Sequence, residues 1–165
     1  MASPTVSPTP ADYFLKLDGV PGESQDKLHA NEIQLIDFSF GMENRGKAAA
    51  YGGGSKTVMS DMRCITHLDI SYPKLKLACA KADAIGSAVL SCRKAGKTQL
   101  DYMKVTLTNV LVTSCKLTAT TEDFPMVEFT LSFQKKQIEY RPQRPDGTLG
   151  AAMQFNWDLG AAKGS

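Results

Sequence analysis

The chain has 165 residues, 42% of them hydrophobic and 22% charged, with a formal net charge of +2. That length fits one domain able to bury about 70% of its unfolded surface, so the core needs no disulfide or metal to support it. The near-neutral balance excludes nucleic acid as the main partner, and no run approaches the ~18 apolar residues of a membrane span, so no membrane insertion is expected.

The four cysteines, Cys64, Cys79, Cys92 and Cys115, include no C-x-x-C pair, which leaves no zinc or redox motif. They read as small hydrophobes in a reducing cytoplasm. Met1 to Pro10 lacks the basic start and apolar run of a signal peptide.

Residues 1–11 read as a disordered Ser/Thr/Pro-rich tail. A single domain follows over 12–160, with 161–165 as a flexible end. Tyr13 to Leu17 is a short strand, closed by turn residues Asp18-Gly19-Val20-Pro21-Gly22. A second strand runs from about Glu32 to Met42. Ile36, Phe38 and Phe40 share one face, and Asp37 and Ser39 the other. Ile33 and Leu35 fall out of phase, so either the strand bulges near Ile36 or its start is buried on both faces.

From Glu43 to Thr57 the alternation vanishes into Gly, Ala, Asn, Lys and Ser, ending in Gly52-Gly53-Gly54-Ser55. This predicts a long exposed hairpin loop over 43–57. Loops of more than about 12 residues without structure of their own are usually functional or disordered. A third strand spans about Val58 to Leu68. Ser71-Tyr72-Pro73 opens a helix over about 72–85, capped by Ser71 and ended by Gly86. Leu75, Ala78, Cys79, Ala82 and Ile85 form its apolar stripe.

Strands resume at Ala88 to Arg93, and again from Gln99 to about Lys116 with a bend or a switch between sheets after Asn109. Another long strand follows Pro125, with Val127, Phe129, Leu131 and Phe133 facing one way and Glu128, Thr130 and Ser132 the other. Met153, Phe155 and Trp157 make a last alternating strand. The sum predicts a mostly β domain: a β-barrel of two packed antiparallel sheets with one flanking helix.

The search for chemistry fails at each candidate. Gly96-Lys97-Thr98 resembles the end of a P-loop, but Ser91 stands where the first glycine belongs and a strand follows instead of a helix. The densest basic stretch, Arg93 to Lys97, reads as a solvated turn. His29 and His67 have no partner at i+4 and no nucleophile elbow accompanies them, so hydrogen-bonded structural histidines are expected. No carboxylate pair has the apolar setting of a general acid. No enzymatic activity and no cofactor or metal are therefore expected. What remains is the loop, read either as a tolerated excursion or as an arm that orders against a neighbouring molecule. Two readings of the whole domain follow: an assembling subunit, or a monomeric lipocalin-like ligand-binding barrel.

A family resemblance decides between them. Gly22-Glu23-Ser24-Gln25-Asp26 with His29-Ala30-Asn31-Glu32-Ile33 is similar to the amino-terminal signature of the Hcp (haemolysin-coregulated) proteins of type VI secretion. Pro73 to Cys79, Arg93 to Gly96, Leu107 to Ser114, Tyr140-Arg141-Pro142-Gln143, Asp146-Gly147 and Trp157 also resemble that family, in the same order. The resemblance covers about residues 13–159. Phe38-Ser39-Phe40-Gly41 departs from it, standing where tryptophans are common, and the tail 1–11 is extra.

The resemblance implies a homohexameric ring, rings stacked into a tube, and small effector proteins carried in the lumen. It implies sheath and spike components as further partners. It also implies assembly in the bacterial cytoplasm followed by export, without a signal peptide, to the extracellular space or a target cell. Loop 43–57 corresponds to the family's extended loop, which makes Glu43, Asn44, Arg45, Lys47, Tyr51, Gly52, Gly53, Gly54 and Lys56 the candidate ring-contact and stacking residues. Asp37 and Ser39 are the candidate lumen-facing residues.

Overall fold

The computed structural model describes residues 11–46, 52–54, 56–94, 99–161 and 163–165. Among these the elements run β1 (Ala11–Leu17), β2 (Ile33–Ser39), β3 (Met42–Asn44), β4 (Thr57–Met59), β5 (Met62–His67), α1 (Ser71–Lys81), β6 (Ile85–Lys94), β7 (Asp101–Thr118), β8 (Met126–Tyr140), β9 (Met153–Asp158) and β10 (Lys163–Gly164). Of the expected tail, residues 1–10 lie outside the described residues, and Ala11 already pairs in β1 with Lys94 of β6.

Every pairing is antiparallel, in the order β10-β9-β8-β5-β2-β1-β6-β7. β7 then pairs back onto β8, from Met103 opposite Tyr140 to Thr118 opposite Met126. The sheet therefore closes on itself through six strands, β7, β8, β5, β2, β1 and β6, and β9 and β10 extend it beyond β8. The two foreseen sheets are parts of one sheet that curls until its ends meet. Closure removes the exposed backbone edges that an open sheet would present.

The inward face is apolar except for Thr66 and Lys136, which are buried opposite Val127 and Leu107. Leu15, Ile33, Met62, Leu90, Val105, Leu107, Val110, Phe129 and Leu131 are buried among one another. A six-stranded barrel is narrower than the roughly eight-stranded barrels that first hold a small ligand, and side chains fill it. A lipocalin-like cavity is thus not what this interior provides.

Local departures from regular geometry have identifiable causes. The β2–β5 register shifts between Leu35 and Asp37, so of the two alternatives at Ile36 the strand takes the bulge. β7 bends at Asn109, whose φ is 52°, and its register with β8 shifts between Val112 and Ser114. The helix is shorter than expected. It spans Ser71–Lys81, not 72–85, because Ala82 adopts the left-handed conformation at φ 53°. Ala82 and Asp83 donate their N–H groups to the carbonyls of Cys79 and Ala78, a Schellman closure four residues ahead of Gly86. Ile85 consequently opens β6 instead of ending the helical stripe.

The cap differs too. Ile70 occupies the N-cap position, and the Asp69 carboxylate accepts hydrogen bonds from the Ser71 N–H (2.9 Å) and hydroxyl. The strand expected over 58–68 is two strands, β4 and β5, separated by Ser60 and Asp61. At the C-terminus, Lys163 and Gly164 pair with Asp158 and Trp157, so the end expected to be flexible carries a short strand.

Candidate assembly surface

Two exposed surfaces gather the residues singled out in the sequence. The first is an arm. Met42, Glu43 and Asn44 of β3 pair with Met59, Val58 and Thr57 of β4, so the segment expected to be a structureless loop has a hairpin base. Arg45 N–H extends the ladder to Lys56 O at 2.9 Å. Asn44 Oδ1 accepts from the N–H groups of Gly46 (2.9 Å) and Lys56 (3.2 Å), and Arg45 Nε donates to Glu43 at 2.6 Å.

The strands cross so closely that a Cβ at Gly46 would lie 2.0 Å from Gly54 O. At the root, Gly41 and Ser60 exchange hydrogen bonds of 2.8 and 3.0 Å. Glu43, Asn44, Arg45, Gly52, Gly54 and Lys56 are exposed and Gly53 is half-buried. Lys47 and Tyr51 lie outside the described residues, as do Gly96, Lys97 and Thr98 of the P-loop-like stretch. Among the described residues β3 and β4 pair only with each other, which leaves an outer backbone edge on both.

The second surface is a polar sheet face. Ser39 of β2 is opposite Arg63 of β5, which is opposite Thr130 of β8, which is opposite Ser114 of β7. One rung away, Asp37, Ile65, Glu128 and Lys116 line up in the same way. Partners across antiparallel strands point to the same side, so the fold brings Asp37 and Ser39 together with Glu128 and Thr130 on one outward face.

Arg63 Nε and Nη2 donate to the two carboxylate oxygens of Glu128 at 3.0 and 3.1 Å. These hydrogen bonds hold the Glu128 carboxyl below its usual range and push Arg63 up. Arg63, Ser114 and Lys116 were not singled out from sequence. The alternation Met62-Arg63-Cys64 places Arg63 outward, but which strand lies beside it depends on pairing across the chain.

The Gly22-to-Ile33 signature forms a buried polar cluster at the barrel's edge. His29 Nδ1 lies 2.5 Å from Glu32 Oε2, and Nε2 lies 3.1 Å from Asp101 Oδ1. Arg93, only 3% exposed, is held by Asp26 and by Asp12 at 3.4 Å. The Arg93 hydrogen bond brings the Asp26 carboxyl down to about 2.

Both ring nitrogens of His29 face carboxylates of the chain, which matches the expected structural histidine, while Arg93 Nη1 is buried without a hydrogen-bond partner among the described residues. His67, at the end of β5, meets Phe124 edge-on at 6.0 Å. The fold does not join either histidine to a cysteine. Cys64 and Cys92 are buried, and burial pushes the Cys92 thiol up to about 12. Among the described residues no group of three or more His, Cys, Asp or Glu is placed to hold a metal ion, and no helix is long and apolar enough to cross a membrane.

The sequence model of the family described as type VI secretion system effector, Hcp, matches residues 14–140. The chain belongs to the Hcp family. It is 35% identical over 153 residues to Protein hcp1 of Pseudomonas aeruginosa, covering 90% of this chain and 94% of that one. The Hcp1 crystal structure from Salmonella typhimurium is 29% identical with a TM-score of 0.81, covering 94% and 99% of the two chains. A structure described as a type six secretion system protein is 25% identical with a TM-score of 0.86, over 93% and 99%. This Hcp chain is a secreted type VI protein, a tube subunit that assembles with itself.

Proposed function

We propose that six copies close into a ring and that rings stack into a tube whose lumen carries small effector proteins. The observation that carries the reading is the β3–β4 arm, a hairpin beside a closed barrel, its two outer backbone edges unpaired among the described residues. An edge of this kind invites pairing with another chain. A cyclic ring uses two different surfaces of each subunit, so its rims differ and can stack head to tail. In this reading Glu43, Asn44, Arg45, Lys47, Tyr51, Gly52, Gly53, Gly54 and Lys56 meet neighbouring copies. Asp37 and Ser39, on the polar face with Arg63 and Glu128, line the lumen.

Sheath and spike components of the secretion machine are the further partners. The protein assembles in the bacterial cytoplasm, and the tube is exported to the extracellular space or a target cell. Structure-based support for the arm comes from its independence: its pairing involves no barrel strand. Deleting Lys47 to Lys56 should therefore preserve the β-sheet circular dichroism while impairing ring stacking and secretion. Negative-stain images of normal tubes from the deletion protein would refute the role given to the arm.

A further inference from the structure

Where the arm leaves the barrel there is a groove of about 220 Å³, lined by Phe40, Met42, Met59, Ile138 and Phe155, with Lys136 alongside them. It is smaller than the roughly 300–1,000 Å³ of a drug-sized ligand site and suits a single large side chain. Lys136 is 4% exposed. Its Nζ sits 3.2 Å from the centroid of Phe40 and 5.3 Å from that of Phe133, and among the described residues no carboxylate pairs with it. A buried ammonium supported only by ring faces still lacks the counter-charge that such burial calls for.

The complement lies at the other end of the same molecule. Between β7 and β8 the turn Glu122-Asp123-Phe124 presents a phenyl ring that is 60% exposed, next to two exposed carboxylates that make no ion pair among the described residues. Phe124 stands at the His67 end of β5, where Leu68 N–H also bonds Pro125 O at 2.8 Å. The arm root stands at the Met62 end, joined through Ser60 and Asp61. The length of β5, about 17 Å or more at 3.3 Å per residue, separates ring from groove within one chain. The ring can enter this groove only from another copy.

We propose that the groove at the root of the arm receives the Glu122-Asp123-Phe124 turn of a second copy, with the phenyl ring against Phe40, Met42 and Met59 and a carboxylate facing Lys136. This rests on the reading that the chain assembles with itself. It goes beyond that reading by naming a contact in which an aromatic anchor fills a pocket and a buried cation gains its partner. The contact joins opposite ends of β5, so it is heterologous and propagates from copy to copy.

The test mixes two full-length proteins: Met42→Cys at natural isotope abundance and Thr121→Cys labelled with ¹⁵N, which keeps the phenyl anchor and places the thiol on an exposed neighbour in the same turn. After treatment with a short bis-maleimide, peptide mass spectrometry should find residue 42 of light chains linked to residue 121 of heavy chains. Sedimentation velocity is run in parallel on Phe124→Ser and Lys136→Met. Each should weaken self-association by about tenfold or more while keeping the wild-type circular dichroism.

If wild-type protein assembles, the 42–121 link is absent and Phe124→Ser assembles equally well, the contact is refuted and self-assembly stands. A link from residue 42 to the arm of a neighbour instead assigns the groove to the arm and also overturns the proposal. Wild-type protein that remains monomeric at high micromolar concentration overturns both readings.

Discussion

The imidazole of His29 lies flat on the phenyl ring of Phe14, with 4.5 Å between centroids and 7° between planes. The Arg93 guanidinium sits 4.8 Å from the same ring. Phe14 therefore joins the His29 ring and the Arg93 guanidinium to the first strand, and four carboxylates, Asp12, Asp26, Glu32 and Asp101, hold them in place. The signature found by resemblance in residues 22–33 is a lock between the segment before β2 and strands β1 and β6.

Gly22 is the tightest part of that lock. Its N–H donates to Asn31 O at 2.9 Å, and a Cβ would lie 2.4 Å from Glu32 O and 2.6 Å from Ile33 Cα. These are backbone atoms of the segment entering β2, so they cannot swing aside as a side chain would. Gly22→Ala should destabilise the fold by about 2–3 kcal/mol, measured as a lower urea midpoint with an unchanged slope.

Asp26 sets an acid limit. Its carboxyl ionises near 3.8 when unfolded and at about 2 when folded, because Arg93 donates to it. A depressed carboxylate contributes stability that is complete above about pH 4 and is lost as pH falls toward 2. Asp26→Asn should melt earlier than wild type at pH 7. Its melting temperature should also fall less steeply between pH 4 and pH 2, and parallel slopes for the two proteins would refute this.

Lys136 behaves in the opposite sense. Burial draws its ammonium from 10.5 down to about 8. Below pH 8 it is charged in both folded and unfolded states, and the folded state bears the desolvation. Between 8 and 10.5 the folded state sheds the proton first, so stability rises there. Lys136→Met should be more stable at pH 7 by about 2 kcal/mol, allowing for water reaching the ammonium through the groove. The gap should narrow steadily above pH 8 in denaturant titrations. Higher monomer stability combined with weaker assembly would separate this residue's two effects.

Ser39 tests the polar face. It is exposed and opposite Arg63, so Ser39→Lys sets a second cation beside Arg63 without disturbing the core. Strand content should be unchanged and rings should still form, but co-purification of a cognate effector should fall. Undiminished retention of the effector would remove Asp37 and Ser39 from the lumen.

Alternation made most of the barrel legible in the sequence. The out-of-phase run Ile33-Leu35-Ile36 marked the place of the β2 bulge, and the doubly apolar stretch after Asn109 marked that of the bend in β7. The helix end was misplaced because Gly86 is the obvious terminator, whereas an alanine takes the left-handed position at 82. The base of the arm was hidden because three-residue strands such as Met42–Asn44 are too short to show a period. Lys136 and Arg63 could not be read as partners of Phe40 and Glu128. Those contacts depend on strands β2, β5 and β8 meeting across 65 residues or more, and composition carries no trace of that.

The return of β7 onto β8 also sets an order of events during synthesis. β1 waits for β6, some 80 positions later, and the ring of strands is not complete until Met126–Tyr140 has left the ribosome. Pairings this distant in sequence fold slowly and leave unpaired edges exposed in the meantime. Until then the nascent chain holds β1, β2 and β5 without the strand that joins β5 to β7. A polypeptide stopped before residue 126 should be an aggregating fragment and not a smaller barrel, so a cell building tubes can recruit only finished chains.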